Sequence, residues 1–134
     1  MRVFIAHKFH NVNKSELRGK IEKIISALEK NGYQTFNYLR DKENWEPKDF
    51  PPGKVIKEAF SELKKCDALL VFIDSQEKSE GVFLEMGFAK AINKKTILLI
   101  SDKCSYSTLK AIADTVIEFS DWHNLEEKLK LIKI

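Results

Sequence analysis

Asp67-Ala68-Leu69-Leu70-Val71-Phe72-Ile73-Asp74 sets six apolar residues in a row between two aspartates. A strand with one wet face alternates apolar and polar residues. A run without alternation belongs to a strand covered on both faces, as in a parallel sheet between two layers of helices. Val3-Phe4-Ile5-Ala6, within a strand expected over residues 2–6, and Thr96-Ile97-Leu98-Leu99-Ile100 read the same way, and residues 33–36 and 115–119 make two shorter strands.

Helical periodicity fills the intervals. Leu17, Ile21, Ile24, Ile25 and Leu28 recur at helical spacing from Ser15 onward, and Asn31-Gly32 closes that helix. Residues 54–65 form a helix with an expected buried stripe of Ile56, Ala59, Phe60 and Leu63. Helices follow over residues 80–93, 107–113 and 121–132, the last with Leu125, Leu129 and Ile132 facing inward. Strands and helices alternate five times, so the expected fold is a single α/β domain over residues 1–134. It is a three-layer sandwich with a five-stranded parallel sheet in flavodoxin-like order 2-1-3-4-5. Residues 37–53 are read as one polar loop of 17 residues, and a connection of that length is often functional. Its aromatics Tyr38, Trp45 and Phe50 either pack beneath it or stack on a base.

Composition narrows the function classes. The chain has 134 residues, a 43% hydrophobic and 32% charged content, and a net charge of +3 from 23 basic and 20 acidic residues. Lysines interleave with glutamates, as in Glu126-Glu127-Lys128, which is a solvated face and not a nucleic-acid stripe. No run approaches the roughly 20 apolar residues of a membrane span. The start of the chain enters a strand directly, without a signal-peptide pattern. Cys66 and Cys104 stand alone, outside any CxxC spacing, which points to a reducing cytoplasm. No set of ligands has metal-site spacing, and neither a metal nor a cofactor is expected.

In a sheet of this order, ligands sit beyond the carboxyl ends of the strands where the order reverses, between strands 1 and 3. That rule selects residues 6–11 and 74–85. His7, Lys8 and His10 lie in the first segment; Asp74, Ser79 and Gly81 lie in the second. At 100° per residue, Lys90, Asn93 and Lys94 fall on one side of the helix over 80–93. Glu85 falls nearly opposite, beside Phe88, Ala89 and Ile92. A carboxylate on a face meant for burial must be paired, have a raised pKa, or look into a cavity. Gly81 and Gly87 leave room near it for a ligand or for the sheet.

Ser79-Glu80-Gly81-Val82-Phe83-Leu84-Glu85-Met86-Gly87-Phe88-Ala89, followed by Lys94-Lys95 and the strand over 96–100, resembles the core motif of the nucleoside 2-deoxyribosyltransferase superfamily. That superfamily includes the 2′-deoxynucleoside 5′-phosphate N-hydrolases. The lead-in through Leu63 and Cys66-Asp67 is similar as well. The resemblance implies that Glu85 attacks the anomeric carbon of a nucleoside or nucleotide and that the base leaves. It implies that Ser79, where an Asp would meet a free 5′-hydroxyl, accepts a 5′-phosphate. By their place at the predicted crevice, His7, His10 and Lys8 are expected to contact a phosphate or a base, Asp74 to bind ribose hydroxyls or simply end its strand, and Gly81 to let a ligand approach. The family pattern carries an Asp where this chain has Ala59, and Glu58 or Glu62 would have to stand in for it. The same resemblance implies a homo-oligomer.

Val3-Phe4-Ile5-Ala6-His7-Lys8-Phe9 and Pro52-Gly53-Lys54-Val55-Ile56-Lys57-Glu58-Ala59-Phe60 are also similar to segments of TIR domains. That likeness implies instead an enzyme that cleaves NAD or makes a nucleotide signal from it. A third possibility, raised by Ala59, is a nucleotide-binding module without turnover.

Overall fold

The computed structural model describes residues 1–134. Five strands, β1 (Arg2–His7), β2 (Gln34–Asn37), β3 (Ala68–Ile73), β4 (Lys95–Ser101) and β5 (Thr115–Phe119), form one sheet in the order β2-β1-β3-β4-β5. Every neighbouring pair is parallel, as the sequence predicts. The helices are α1 (Lys14–Lys30), α2 (Tyr38–Asp41), α3 (Pro52–Lys64), α4 (Glu80–Ala91), α5 (Ser107–Ile112) and α6 (Trp122–Lys130). None is long and apolar enough to cross a membrane.

The apolar run that opened the reading occupies the centre of the sheet, and all six of its residues are buried. Alternate side chains divide between two cores. Leu70 and Phe72 join α1 and α6 on one face. Leu69, Val71 and Ile73 join α3, α4 and α5 on the other. The flanking aspartates have separate tasks. Asp67 accepts a hydrogen bond from the Arg2 backbone N–H at 2.8 Å, which pins the start of β1 to the start of β3. Asp114 does the same for β4, accepting from the Thr96 backbone N–H at 2.8 Å. Asp74, at the other end, faces the region where the strand order reverses.

The structure shifts most expected boundaries by one or two residues. Strand β1 runs one residue further, to His7, β2 is displaced by one to Gln34–Asn37, β4 gains a residue at each end, and α4, α5 and α6 end one or two residues early, at Ala91, Ile112 and Lys130. The predicted loop over 37–53 begins with the single helical turn α2. Asn37 caps it, its side-chain oxygen accepting from the Arg40 backbone N–H at 3.0 Å. Helix α3 starts at Pro52, not Lys54, since a proline in the first turn lacks only an N–H that the helix does not use. Its buried residues are Ala59, Glu62 and Leu63, while Ile56 and Phe60 are half-buried. Phe60 instead stacks on Phe88 of α4, with ring centroids 4.2 Å apart.

Candidate active site

Helix α4 places the predicted carboxylate. Its N-cap is Ser79, whose hydroxyl oxygen accepts from the Val82 backbone N–H at 3.4 Å. Val82, Met86 and Ala89 point at the sheet. Glu85 sits between that inward stripe and the flank that turns toward α3, where Phe88 meets Phe60. It is half-buried. Burial alone pushes its carboxyl up to about 8, and no hydrogen bond or neighbouring charge offsets the shift. Every side-chain polar atom that is fully shut from water has a partner, so the unpartnered Glu85 oxygens retain an opening to solvent. At neutral pH such a group is held mostly as the protonated acid, and no partner in the fold makes it a structural anchor.

Gly81 sits beside both chemical groups of this segment. A Cβ added there would lie 3.7 Å from Glu85 Oε1 and 4.0 Å from Ser79 Oγ. Those are ordinary contact distances, so alanine fits the fold and, in a helix, is favoured over glycine by roughly 0.5–1 kcal/mol. Gly81→Ala is therefore expected to raise the melting temperature slightly while lowering kcat/KM for any substrate that lies between the carboxylate and the hydroxyl, by roughly tenfold. Unchanged kinetics in Gly81→Ala would show that nothing binds there.

Next to this segment, at the strand-order reversal, lies a cavity of about 200 Å³. His7 and Lys8 enter it from the end of β1, Asn13 and Lys20 from α1, and Asp74, Ser79, Phe83 and Tyr106 from the opposite side. Four of the predicted site residues, His7, Lys8, Asp74 and Ser79, thus meet in one cavity. Glu85 and Gly81 do not line it. They occupy the flank of α4 turned to α3, whereas Val82 and Phe83 turn to the cavity. Ser79, at the helix start, touches both sides. The cavity is smaller than the roughly 300 Å³ at which ligand pockets usually begin.

The segment over 74–79 is pinned on three sides. Lys20 pairs with Asp74 at 2.6 Å, and Lys8 pairs with Glu77 at 2.7 Å. Gln76 and Ser105 exchange two hydrogen bonds, and Tyr106 donates to the Ser75 carbonyl at 3.1 Å. Lys8 and Asn11 hold the Glu77 carboxyl below its usual range.

The structure changes the reading of three residues. His7 was expected to contact a phosphate or a base. Both of its ring nitrogens are in use: Nδ1 donates to the Lys8 carbonyl at 3.0 Å, and Nε2 accepts from Asn37 Nδ2 at 2.9 Å. Burial depresses its pKa further, so the ring is neutral and offers the cavity only its carbon edge. Glu62 was a candidate to replace the acid missing at position 59. It is buried in an ion cluster, 3.5 Å from Arg2 and 3.4 Å from both Lys42 and Lys65. Those cations hold its carboxyl low even against its burial, which leaves it no proton to give. Glu58 accepts a hydrogen bond from the Tyr38 hydroxyl at 3.1 Å; neither residue lines the cavity. Ala59 itself is buried against the sheet. Of the loop aromatics, Trp45 lies under Arg18 and Phe50 under Lys54, which is packing beneath the loop.

Sequence reasoning missed Asn37. It is fully buried and ties β1, α2 and His7 together. An asparagine at the end of a strand gave no signal beyond a turn, because its partners come from a strand about 30 residues away.

The family model for nucleoside 2-deoxyribosyltransferase matches residues 4–129. The chain belongs to this family. Among solved structures, a CMP N-glycosidase from Clostridium botulinum is 26% identical, with a TM-score of 0.72 over 98% of this chain and 100% of that one. A 2-deoxyribosyltransferase from Bacillus psychrosaccharolyticus shares the fold at 19% identity, with a TM-score of 0.67 and 96% of each chain covered. A conserved protein from Enterococcus faecalis V583 shares it at 17% identity, with a TM-score of 0.66 and 97% of each chain covered. No curated protein matches the chain.

Proposed function

We propose that this protein cleaves the N-glycosidic bond of a nucleoside 5′-monophosphate or nucleoside, with Glu85 as the nucleophile. One observation carries the proposal: in a deoxyribosyltransferase-family chain, Glu85 is a carboxyl group without a partner on the same helix flank as Gly81, and Ser79 at the start of that helix reaches the cavity at the strand-order reversal. In the first step a Glu85 oxygen bonds to the sugar C1. The C1–N bond breaks, its electron pair leaves with the base, and the base takes up a proton from solvent water. In the second step water or another base bonds to C1 and releases a proton to solvent, and the ester to Glu85 breaks to restore the carboxylate. Two displacements through a covalent intermediate have lower barriers than one direct hydrolysis. Desolvation, which raises the Glu85 pKa, also makes its ionised form the stronger nucleophile.

A 5′-phosphate would meet Lys8, Lys20, Asn13 and the Ser79 hydroxyl in this cavity, where it would have to displace Glu77 from Lys8 and Asp74 from Lys20 and where Glu16 also lies; the start of α4 favours an anion. The sugar would then extend past Ser79 and Gly81 toward Glu85. The test is a product assay in which purified protein is incubated with nucleoside 5′-monophosphates, free nucleosides and NAD in parallel, and released bases are resolved by chromatography. Base release from monophosphates, lost in Glu85→Gln, is the expected result. Release of nicotinamide from NAD alone would move the protein to the TIR-like reading, and release from nothing would leave a binding module.

Glu77 makes a second expectation specific. It occupies the Lys8 ammonium that a 5′-phosphate would use. Replacing it with Gln frees Lys8 and removes a nearby negative charge. Glu77→Gln is expected to lower KM for monophosphates about two- to fivefold and to leave KM for free nucleosides unchanged. Equal shifts for both substrates would show that Lys8 does not meet the phosphate.

A further inference from the structure

The cavity at the strand-order reversal is lined by two lysines, Lys8 and Lys20, and by three carboxylates, Glu16, Asp74 and Glu77. As it stands, that lining repels an anion. Both lysines are already taken. Lys8 Nζ lies 2.7 Å from Glu77 Oε2, and Lys20 Nζ lies 2.6 Å from Asp74 Oδ2. The two acids belong to one short segment of chain. Both pairs therefore tie that segment to the end of β1 and to α1, and Asn11 Nδ2 adds a bond to Glu77 Oε1 at 3.3 Å.

The other side of the segment over 74–79 is held by different chemistry. Gln76 exchanges hydrogen bonds with the Ser105 backbone at 3.0 and 2.6 Å, and the Tyr106 hydroxyl donates to the Ser75 carbonyl at 3.1 Å. Those bonds join neutral groups, and an anion does not compete for them. The bonds to Lys8 and Lys20 are ion pairs with half-exposed carboxylates, 55% for Glu77 and 36% for Asp74. Ion pairs in contact with water are individually weak. An anion that takes both lysines thus frees one edge of the segment and leaves the other attached, which is the geometry of a hinge.

We infer that the two ion pairs are a latch: a phosphate dianion takes Lys8 and Lys20 from Glu77 and Asp74, and the segment over 74–79 swings open on its Ser105–Tyr106 side. The inference rests on the monophosphate reading of the site only for the choice of anion. A ligand shifts a conformational equilibrium only by binding one state better than the other. Phosphate meets two free lysines in the open state and three carboxylates in the closed one. Once both acids have left, the two bare ammonium groups match a group with two negative charges, as a phosphate monoester has. Opening also accounts for two features of the closed cavity. It holds only about 200 Å³, and Gly81 and Glu85 lie outside it. The segment ends at Ser79, whose hydroxyl neighbours Gly81, so its release widens the cavity toward α4.

Inorganic phosphate as the dianion is the probe, and backbone amide order parameters of residues 75–78, from NMR relaxation, are the readout. In wild type they are expected to sit near about 0.85 without phosphate and to fall below about 0.6 at saturation. Either ion pair alone still holds the segment, so Glu77→Gln by itself leaves it closed. Asp74→Asn combined with Glu77→Gln is expected to free it without phosphate and to tighten phosphate binding about tenfold. Glu16→Gln separates charge from latch. It removes a carboxylate that lines the cavity and leaves both ion pairs in place, so it should tighten phosphate binding about two- to threefold with the segment still rigid. Phosphate that does not bind wild type, or that binds and leaves residues 75–78 rigid, overturns the inference, as does a double variant that is rigid without phosphate. No turnover enters this test. A latch that fails while monophosphates still release their base leaves the proposed activity standing, and a latch that opens in a protein that releases no base stands without it.

Discussion

Glu85→Gln abolishes base release and stabilises the protein at neutral pH: that pair of opposite effects is the expected result. The sign follows from the raised pKa. Glu85 titrates near 8 in the folded chain against an ordinary value of 4.5. Between those values the folded state holds a proton that the unfolded chain has released. Stability contributed by this group is therefore whole below about pH 4.5 and falls as pH rises toward 8. At pH 7 the loss is up to about 3 kcal/mol, and a neutral Gln of the same shape escapes it. The melting temperature of Glu85→Gln should exceed wild type by roughly 5–10 °C at pH 7, with the difference vanishing near pH 4. A Gln variant less stable than wild type at pH 7 would mean that Glu85 has a stabilising partner.

The same pKa governs activity. A nucleophile must be ionised, and kcat/KM reports ionisation in the free enzyme. The profile should rise through about pH 8 as Glu85 loses its proton. A kcat/KM already flat between pH 5 and 7 would exclude Glu85 as the group whose ionisation limits attack.

Asn37→Ala has the second large expected effect, and here stability and site move together. Asn37 Nδ2 donates to the Ile5 carbonyl at 3.2 Å and to His7 Nε2, and its oxygen caps α2. Loss of the cap is worth about 1 kcal/mol. A buried carbonyl and a buried ring nitrogen left unpartnered add roughly 1–3 kcal/mol. The melting temperature should fall by about 8–15 °C. Asn37→Asp separates the two roles. It keeps the cap but loses both donated bonds, and it puts a carboxylate against His7 Nε2. It should therefore also be strongly destabilised, with the His7 pKa rising from its depressed value by NMR titration. If Asn37→Asp were as stable as wild type, the cap alone would account for the residue.

Much of the fold was legible because its determinants are local or periodic. Unbroken apolarity in residues 68–73 and 96–100 demands cover on both faces, and helices between such strands leave one handedness of crossover and few orders. The switch-point rule selected residues 74–85 before any coordinates, and of these Asp74 and Ser79 line the cavity there while Glu85 does not. Boundaries erred where a side chain from elsewhere decided them. Asn37 extends β2 because it pairs across to Ile5, and α2 forms because the same side chain caps it. Phe60 left its expected stripe because Phe88 offered it a stacking partner.

Residue identity thus determined the layered sheet, its order, and the odd carboxylate on an apolar face, since hydrophobic period and charge are properties of the chain itself. Tertiary structure alone decided which candidate groups are free to act. His7 is spent on Lys8 and Asn37, Glu62 on Arg2, Lys42 and Lys65, and Lys8 on Glu77. Glu85 has no partner. A side chain's availability depends on what packing brings to it from far along the chain and on the water it excludes. No local pattern of residues carries that information.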